Sequence, residues 1–258
     1  MDDYREWAPA PDLRDHVACT WQSIVAADTR VPVIPDGCVD VIVVDDEPPH
    51  IAGPATRTVW IEVAAGARIT GVRFRPGAAA EVLRTSLVAL CDEHVELAAV
   101  CAAPDDVTPT GLVQWTRRRL ARRGPRPVLS RAAEVLANAD TIDVVVRELG
   151  WSVRQLRRLF IEAYGYGPKL AHRILRLQHA IRLAHEGTCL AMVAALAGYA
   201  DQAHLTREMR ALTDLAPRAF LARADPRVGT WMADLFKTPR TRDATLHACR
   251  FSSSRASR

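Results

Sequence analysis

Three groups of side chains in this sequence have types and spacings that invite a chemical reading. Asp36, Cys38 and Asp40 set a thiol between two carboxylates. A cysteine nucleophile needs a nearby cation or base to favour its thiolate. Flanking carboxylates do the opposite, so the trio argues against a nucleophile. His16, Cys19, Cys38 and His50 supply metal-binding atoms, but their spacing matches no standard metal or thiol-sensor site. The third group is Arg154, Arg157 and Arg158, behind Ser152 and Gln155. Residues three and four apart share a helix face, and guanidinium grips guanine edges and phosphates.

The charge pattern favours the third group. Residues 1–103 hold 8 Arg against 16 Asp and Glu, a net −8. Residues 104–125 are net +3, residues 126–224 net +5 and residues 225–258 net +4. A polyanionic partner therefore belongs with the back half. The six cysteines, Cys19, Cys38, Cys91, Cys101, Cys189 and Cys249, form no CxxC pair and suggest mostly buried reduced thiols. Apolar runs fall short of the roughly 18–20 residues a membrane span needs. The acidic Met1-Asp2-Asp3 start is no secretion leader, so the expected compartment is the cytoplasm.

The elements that would carry these groups divide in two. The front half alternates strand and helix signals. Strands are predicted over Val17–Val25, over Val31–Val44 with a break at Pro35-Asp36-Gly37, over Thr56–Val63 and over Arg68–Phe74. Helices are predicted over Ala78–Arg84, Asp92–Cys101 and Thr110–Arg123. Arg73 and Arg75 read as the outer face of a half-exposed strand, with an anionic-effector site as the alternative. Trp7, Trp21 and Trp60 read as core, with a ligand pocket as the alternative. The arginines of 117–123 read as a solvated helix end, with a phosphate clamp as the alternative. Pro125-Arg126-Pro127 reads as a linker.

The back half is helical by pattern and contains a duplication. Residues 141–160 and 190–209 each run from a short apolar helix through Gly and an aromatic (Gly150-Trp151, Gly198-Tyr199) to a capped amphipathic helix. Gly at these positions stops a helix in the left-handed conformation. Ser152 and Asp201 are N-cap types, and Ser152 with Gln155 makes a capping box. Leu156, Leu159 and Phe160, then Leu205 and Met209, line the inner faces. Arg154, Arg157 and Arg158, then Ala203, Thr206 and Arg207, line the outer ones, which suits two helix-turn-helix units facing a major groove. Pro168–Glu186 lies between them. Its 19 residues make a helix of roughly 28 Å, close to the ~34 Å of one DNA turn.

The segments GWSVRQLRRLF, GYGP, AHRILRLQHAIRLA, GYADQAHLTREMR and APRAF resemble the DNA-binding region of the AraC/XylS-type regulators. The resemblance covers about a hundred residues, Ser130 to Ala224. It implies seven helices with two recognition helices, and base readers at Arg154, Arg157, Arg158, Ala203, Thr206 and Arg207. Gln155, Gln202 and His204 take backbone or edge contacts, and Ser152 is counted among the DNA-binding residues. Two positions depart from the family, which usually has Phe at Met209 and Gly at Thr213. Ala203 brings no hydrogen bond, so the second unit is expected to read sequence less sharply. PDGCVDVIV and GVRFRPGAA resemble an uncharacterised sensor-like domain, not the arabinose-binding cupin.

The expected architecture is thus an α+β front domain (1–103) for sensing or dimerisation and a helical connector (104–127). An all-α double helix-turn-helix domain of about seven helices (128–224) follows, then a disordered basic tail (225–258). The expected function is sequence-specific transcription regulation on double-stranded DNA. No catalytic residue, metal or cofactor is expected. RNA polymerase, a small-molecule effector and a second copy of the chain are the further partners left open. The alternative is a front domain that is an enzyme, an alkyl acceptor, or a thiol or metal sensor tethered to DNA.

Overall fold

The computed structural model describes residues 3–121, 132–133, 135–137 and 141–221. The linker at 125–127 and the tail at 225–258 lie outside the described residues.

Eight strands form the front half: β1 (Asp3–Trp7), β2 (Val17–Ile24), β3 (Thr29–Val33), β4 (Val39–Val44), β5 (His50–Ala52), β6 (Val59–Val63), β7 (Arg68–Phe74) and β8 (His94–Glu96). Six of them make one antiparallel sheet in the order β1-β2-β7-β4-β5-β8, and β3 pairs with β6 in a separate two-stranded ribbon. In β4 every second residue (Val39, Val41, Val43) is buried, the signature of a strand with one core face. Val39 and Val41, with Val17, Ile51, Val72 and Phe74, meet α1 (Ala79–Leu83) and α2 (Pro109–Ala121) through Val82, Leu83, Leu112 and Trp115.

Two sequence expectations change here, and one stands. The expected break at Pro35-Asp36-Gly37 separates β3 from β4, and these two strands lie in different sheets. Asp92–Cys101 is not a helix. It holds β8 and a short 3-10 turn, Leu97–Ala99. Asp92 stands at φ 61°, and its carboxylate accepts from the Thr56 amide (2.7 Å) and hydroxyl (2.6 Å). Pairing of Val95 with Ile51 then overrides the helical composition. The second is the solvated helix end expected over 117–123: Arg118 is exposed and residues 122–123 lie outside the described residues, but Arg117 and Arg119 are bonded to the front domain. Arg117 grips Asp12 through two hydrogen bonds (2.6 and 3.1 Å), and Arg119 donates to the carbonyls of Val82 and Leu83. Both bind α2 to the front domain.

The second half comprises helical residues at 132–133 and 135–137, then α3 (Ile142–Leu149), α4 (Val153–Tyr164), α5 (Pro168–His185), α6 (Leu190–Leu196), α7 (Gln202–Thr213) and α8 (Pro217–Leu221). One apolar cluster joins α4, α5 and the inner side of α7 through Leu156, Phe160, Ile174, Leu177, Ile181, Met209 and Leu212. A smaller one joins the far end of α5 to α6 and α7 through Ala180, Leu183, Val193, Ala194, Tyr199 and Leu205. The long helix is therefore a shared spine, buried on more than one side.

The two halves are not separate beads. Ala18, Cys19 and Cys38 of the sheet belong to the same cluster as Tyr164 and Tyr166. Gln178 of α5 donates to the Pro35 carbonyl at 2.6 Å, and the Tyr164 hydroxyl donates to the Pro76 carbonyl at 3.3 Å. Thr58 donates to the Leu212 carbonyl, near the end of α7, at 3.1 Å. Gly77 stands at φ +82°, and a Cβ there would lie 2.8 Å from the Tyr164 ring. Gly77→Ala should therefore cost about 2 kcal/mol, from left-handed strain plus collision with the ring. A urea midpoint checks this, and an unchanged midpoint would show that the ring does not sit there.

Candidate nucleic-acid interface

The two helix-turn-helix units are built by the same local rules. In each, a glycine with positive φ (Gly150 at 65°, Gly198 at 76°) ends the first helix. The next amide then reaches back five residues, Trp151 to the Val146 carbonyl at 3.1 Å and Tyr199 to the Ala194 carbonyl at 2.8 Å. That hydrogen bond closes a helix end that would otherwise leave carbonyls unpaired. The following helix starts on a cap. Ser152 Oγ accepts from the Gln155 amide at 3.2 Å, and Gln155 Oε1 accepts from the Ser152 amide at 2.8 Å, completing the capping box. Asp201 Oδ1 accepts from the His204 amide at 2.6 Å.

Burial then decides what each second helix presents. In α4, Leu156 and Phe160 are buried and Leu159 is half-buried, while Ser152, Arg154, Gln155, Arg157 and Arg158 are exposed. Among the described residues no ion pair holds Arg154, Arg157 or Arg158. Three guanidinium groups thus stand side by side on one solvent-facing surface. In α7, Leu205 and Met209 are buried, and Gln202, Ala203 and Arg207 are exposed. Two of its expected site residues spend polar atoms on the protein itself. The Thr206 hydroxyl donates to the Gln202 carbonyl at 2.9 Å, and His204 packs edge-on against Tyr199 with ring centres 5.2 Å apart. Ser152 is likewise committed to its cap.

Several supporting residues escaped the sequence reading. Arg173 of α5 holds Glu208 of α7 through two hydrogen bonds of 2.9 and 3.1 Å. Arg176, one turn on, lies 4.2 Å from the centre of the Tyr199 ring. Two basic residues of the spine are therefore brackets for the second unit rather than contacts for a ligand. Arg and Glu on neighbouring helices carried no local signal of this pairing. Gln178 did carry one, because it interrupts the stripe Ala171, Ile174, Leu175 and Ile181, all buried.

The front-half groups resolve differently. Arg73 is not on a half-exposed strand face. Its guanidinium is enclosed, bonded to both Asp40 carboxylate oxygens (3.0–3.1 Å) and 3.9 Å from Asp36. The Trp21 indole donates to Asp40 at 3.0 Å. Burial, and next to it the Asp36 charge, pushes the Cys38 thiol well up. Burial also pushes Asp36 up, against the pull of Arg73. These groups form a closed electrostatic knot beneath the helical half. Arg75 is used as well, donating to the Arg14 carbonyl at 2.6 Å. His16 pairs with Glu81 at 3.2 Å, and His50 stacks on His94 at 5.7 Å. Among the described residues no three His, Cys, Asp or Glu side chains gather where a metal could sit. Trp7 is exposed, Trp21 lies over Gly71, and Trp60 carries Arg30 at 5.2 Å, so they line no common pocket. Among the described residues no helix is long and apolar enough to cross a membrane.

Comparison with known proteins agrees with this division. Residues 145–223 match the model of a helix-turn-helix domain, and residues 5–96 match a domain of unknown function, DUF6597. No curated protein matches the chain. Solved structures similar to it include ToxT from Vibrio cholerae, with 8% identity over 86% of this chain and 97% of that one and a TM-score of 0.43. A structure of ToxT from Vibrio cholerae O395 has 10% identity over 86% and 96%, with a TM-score of 0.42.

The caps set the pitch of both exposed helices. Ser152→Ala should lower stability by about 1 kcal/mol, and Asp201→Ala by a similar amount. Chemical denaturation of each variant reads this. A loss below a few tenths of a kcal/mol in both would mean the capped helix starts are wrong.

Proposed function

From an AraC-type helix-turn-helix domain at residues 145–223, the mark of a DNA-binding transcription regulator, we propose that the chain reads one face of a DNA duplex with α4 and α7 in adjacent major-groove segments. The observation that carries this reading is the pair of exposed, capped helices on either side of one spine. At 18 residues, α5 is about 27 Å long, near the ~34 Å repeat of B-DNA.

The two helices divide the work unequally. Arg154, Arg157 and Arg158 are placed to take guanine O6 and N7 or flanking phosphates. Gln155 keeps its amide nitrogen for a backbone contact, since its oxygen is used in the cap. On α7, Arg207 is the one expected base reader with a guanidinium. Ala203 offers a methyl group that suits thymine, and Gln202 an amide. His204 and Thr206 shape the turn and the helix surface more than they read bases. The second unit thus contributes grip, shape readout and a narrower set of base contacts.

Regulation, on this reading, passes through the front domain, because that domain hydrogen-bonds to all three helices that fix the reading heads: Tyr164 of α4, Gln178 of α5 and Leu212 of α7. An effector, RNA polymerase or a second copy of the chain would act by biasing those contacts.

Binding to a selected DNA site should weaken with salt in proportion to the phosphates neutralised. Arg158→Ala should reduce affinity for that site about 5- to 150-fold and relax base preference at one position of the first half-site. Quantitative binding to a randomised library measures both. Unchanged affinity and unchanged preference for Arg154→Ala, Arg157→Ala and Arg158→Ala alike would remove α4 from the groove.

A further inference from the structure

Two arginines of the spine, one helical turn apart, hold the second helix-turn-helix unit. Arg173 grips Glu208 with both arms of its fork, Nε at 2.9 Å and Nη2 at 3.1 Å. Arg176 lies 4.2 Å from the centre of the Tyr199 ring and donates to the Gly198 carbonyl at 3.4 Å. Tyr199 is buried, and the imidazole of His204, in the first turn of α7, stands edge-on to it at 89°. Arg176 thus reaches α7 through one intervening ring. The two anchored positions, Tyr199 and Glu208, enclose Ala203 and Arg207 in the sequence. Two fixed points along a segment set both the pitch and the rotation of the helix between them.

As a source of stability Arg176 is poorly placed. Among the described residues its Nε is buried with no hydrogen-bond partner, and its bond to Gly198 is long. An unpaired buried donor costs free energy, and an apolar side chain of similar length would fill the same space without that cost. What an apolar chain cannot supply is attraction to the Tyr199 face and to the Gly198 carbonyl, which together fix the turn before α7. The Arg173 pair is the weaker constraint, because 41% of the Arg173 side chain is open to water.

Resting on the reading of α4 and α7 as groove helices, we propose that Arg176 is a positioning residue for the half-site under α7. It sets base preference there by fixing the pitch of α7, without touching DNA. Hydrogen bonds to base edges tolerate little displacement, so a small rotation of α7 carries the Arg207 guanidinium off its base edge. The methyl contact from Ala203 fades over a comparable shift. Removing the Arg176 guanidinium therefore weakens base preference more than it weakens folding.

A duplex selected by the wild-type chain from a randomised library is the probe. Arg176→Met, Arg176→Lys and Arg158→Ala are compared on it in the full-length chain, and the half-site altered by Arg158→Ala is the first. Arg176→Met should bind about tenfold more weakly, flatten base preference in the second half-site and leave the first unchanged. Its urea midpoint should stay at the wild-type value. Arg176→Lys, which keeps a cation for the ring, should restore most of the preference. A lowered midpoint with both half-sites weakened would make Arg176 a residue of stability. An unchanged second half-site in Arg176→Met, or a lysine variant no better than methionine, would detach α7 from the guanidinium. Each of these results overturns the proposal, while an effective Arg158→Ala still upholds the groove reading. If Arg158→Ala changed nothing either, the proposal and that reading would fall together.

Discussion

The burial of Tyr164 and Tyr166 against the turns of the front sheet is the contact on which the rest of this molecule depends. Both rings are shut away from water, and Phe160 stacks on Tyr164 at 4.7 Å. Aromatic burial of this kind contributes several kcal/mol to an interface, far more than the surface ion pairs around it. Tyr164 ends α4 and Tyr166 precedes the spine, so locking them locks both. The turns that receive them are Pro35-Asp36-Gly37-Cys38 and Arg75-Pro76-Gly77. Those turns are in turn fixed from beneath by the Arg73–Asp40 pair. A buried charge pair is a poor source of stability but a strict positional constraint, since breaking it strands a charge. The knot of Asp36, Asp40 and Arg73 therefore makes sense as scaffolding for the seam, not as chemistry.

From that seam the asymmetry of the two helix-turn-helix units follows. The first unit joins the seam directly through α4. The second is held through the spine, by Arg173 on Glu208 and Arg176 on Tyr199, and by the hydrogen bond from Thr58 to the Leu212 carbonyl. The better-anchored unit is also the one with three free guanidinium groups. Base reading by bidentate hydrogen bonds needs accurate placement, and shape or methyl contacts tolerate more play. Anchoring and chemistry agree in each half.

The sequence was most legible where the governing physics is local. Gly150 and Gly198 as helix stops, the Ser152–Gln155 capping box and the extent of α5 all depend on neighbours within five residues, and all stand as read. The front sheet was harder. The short strands β1 and β5 give too little periodicity to stand out, and β3 finds β6 across a long separation instead of its neighbour β4. The helix expected over Asp92–Cys101 failed for the same reason, because an edge pairing with β5 outweighed local composition. Arg73 alternates with Val72 and Phe74 as an outward residue should. Only the helical half lying on that face turns outward into enclosed. Gln178 was the visible clue to that covering, a polar residue set in an apolar stripe and so in need of an acceptor.

The front sheet and the helices α4, α5 and α7 form one cooperative unit through the tyrosine seam. Hydrogen exchange of the full chain, resolved by peptide, tests it most directly. The amides of β4, β7, α4 and α5 should open with a common free energy, and lose protection together as urea is raised. Exchange of α4 and α5 at low urea, with β4 and β7 still protected, would show two independent bodies and contradict the account.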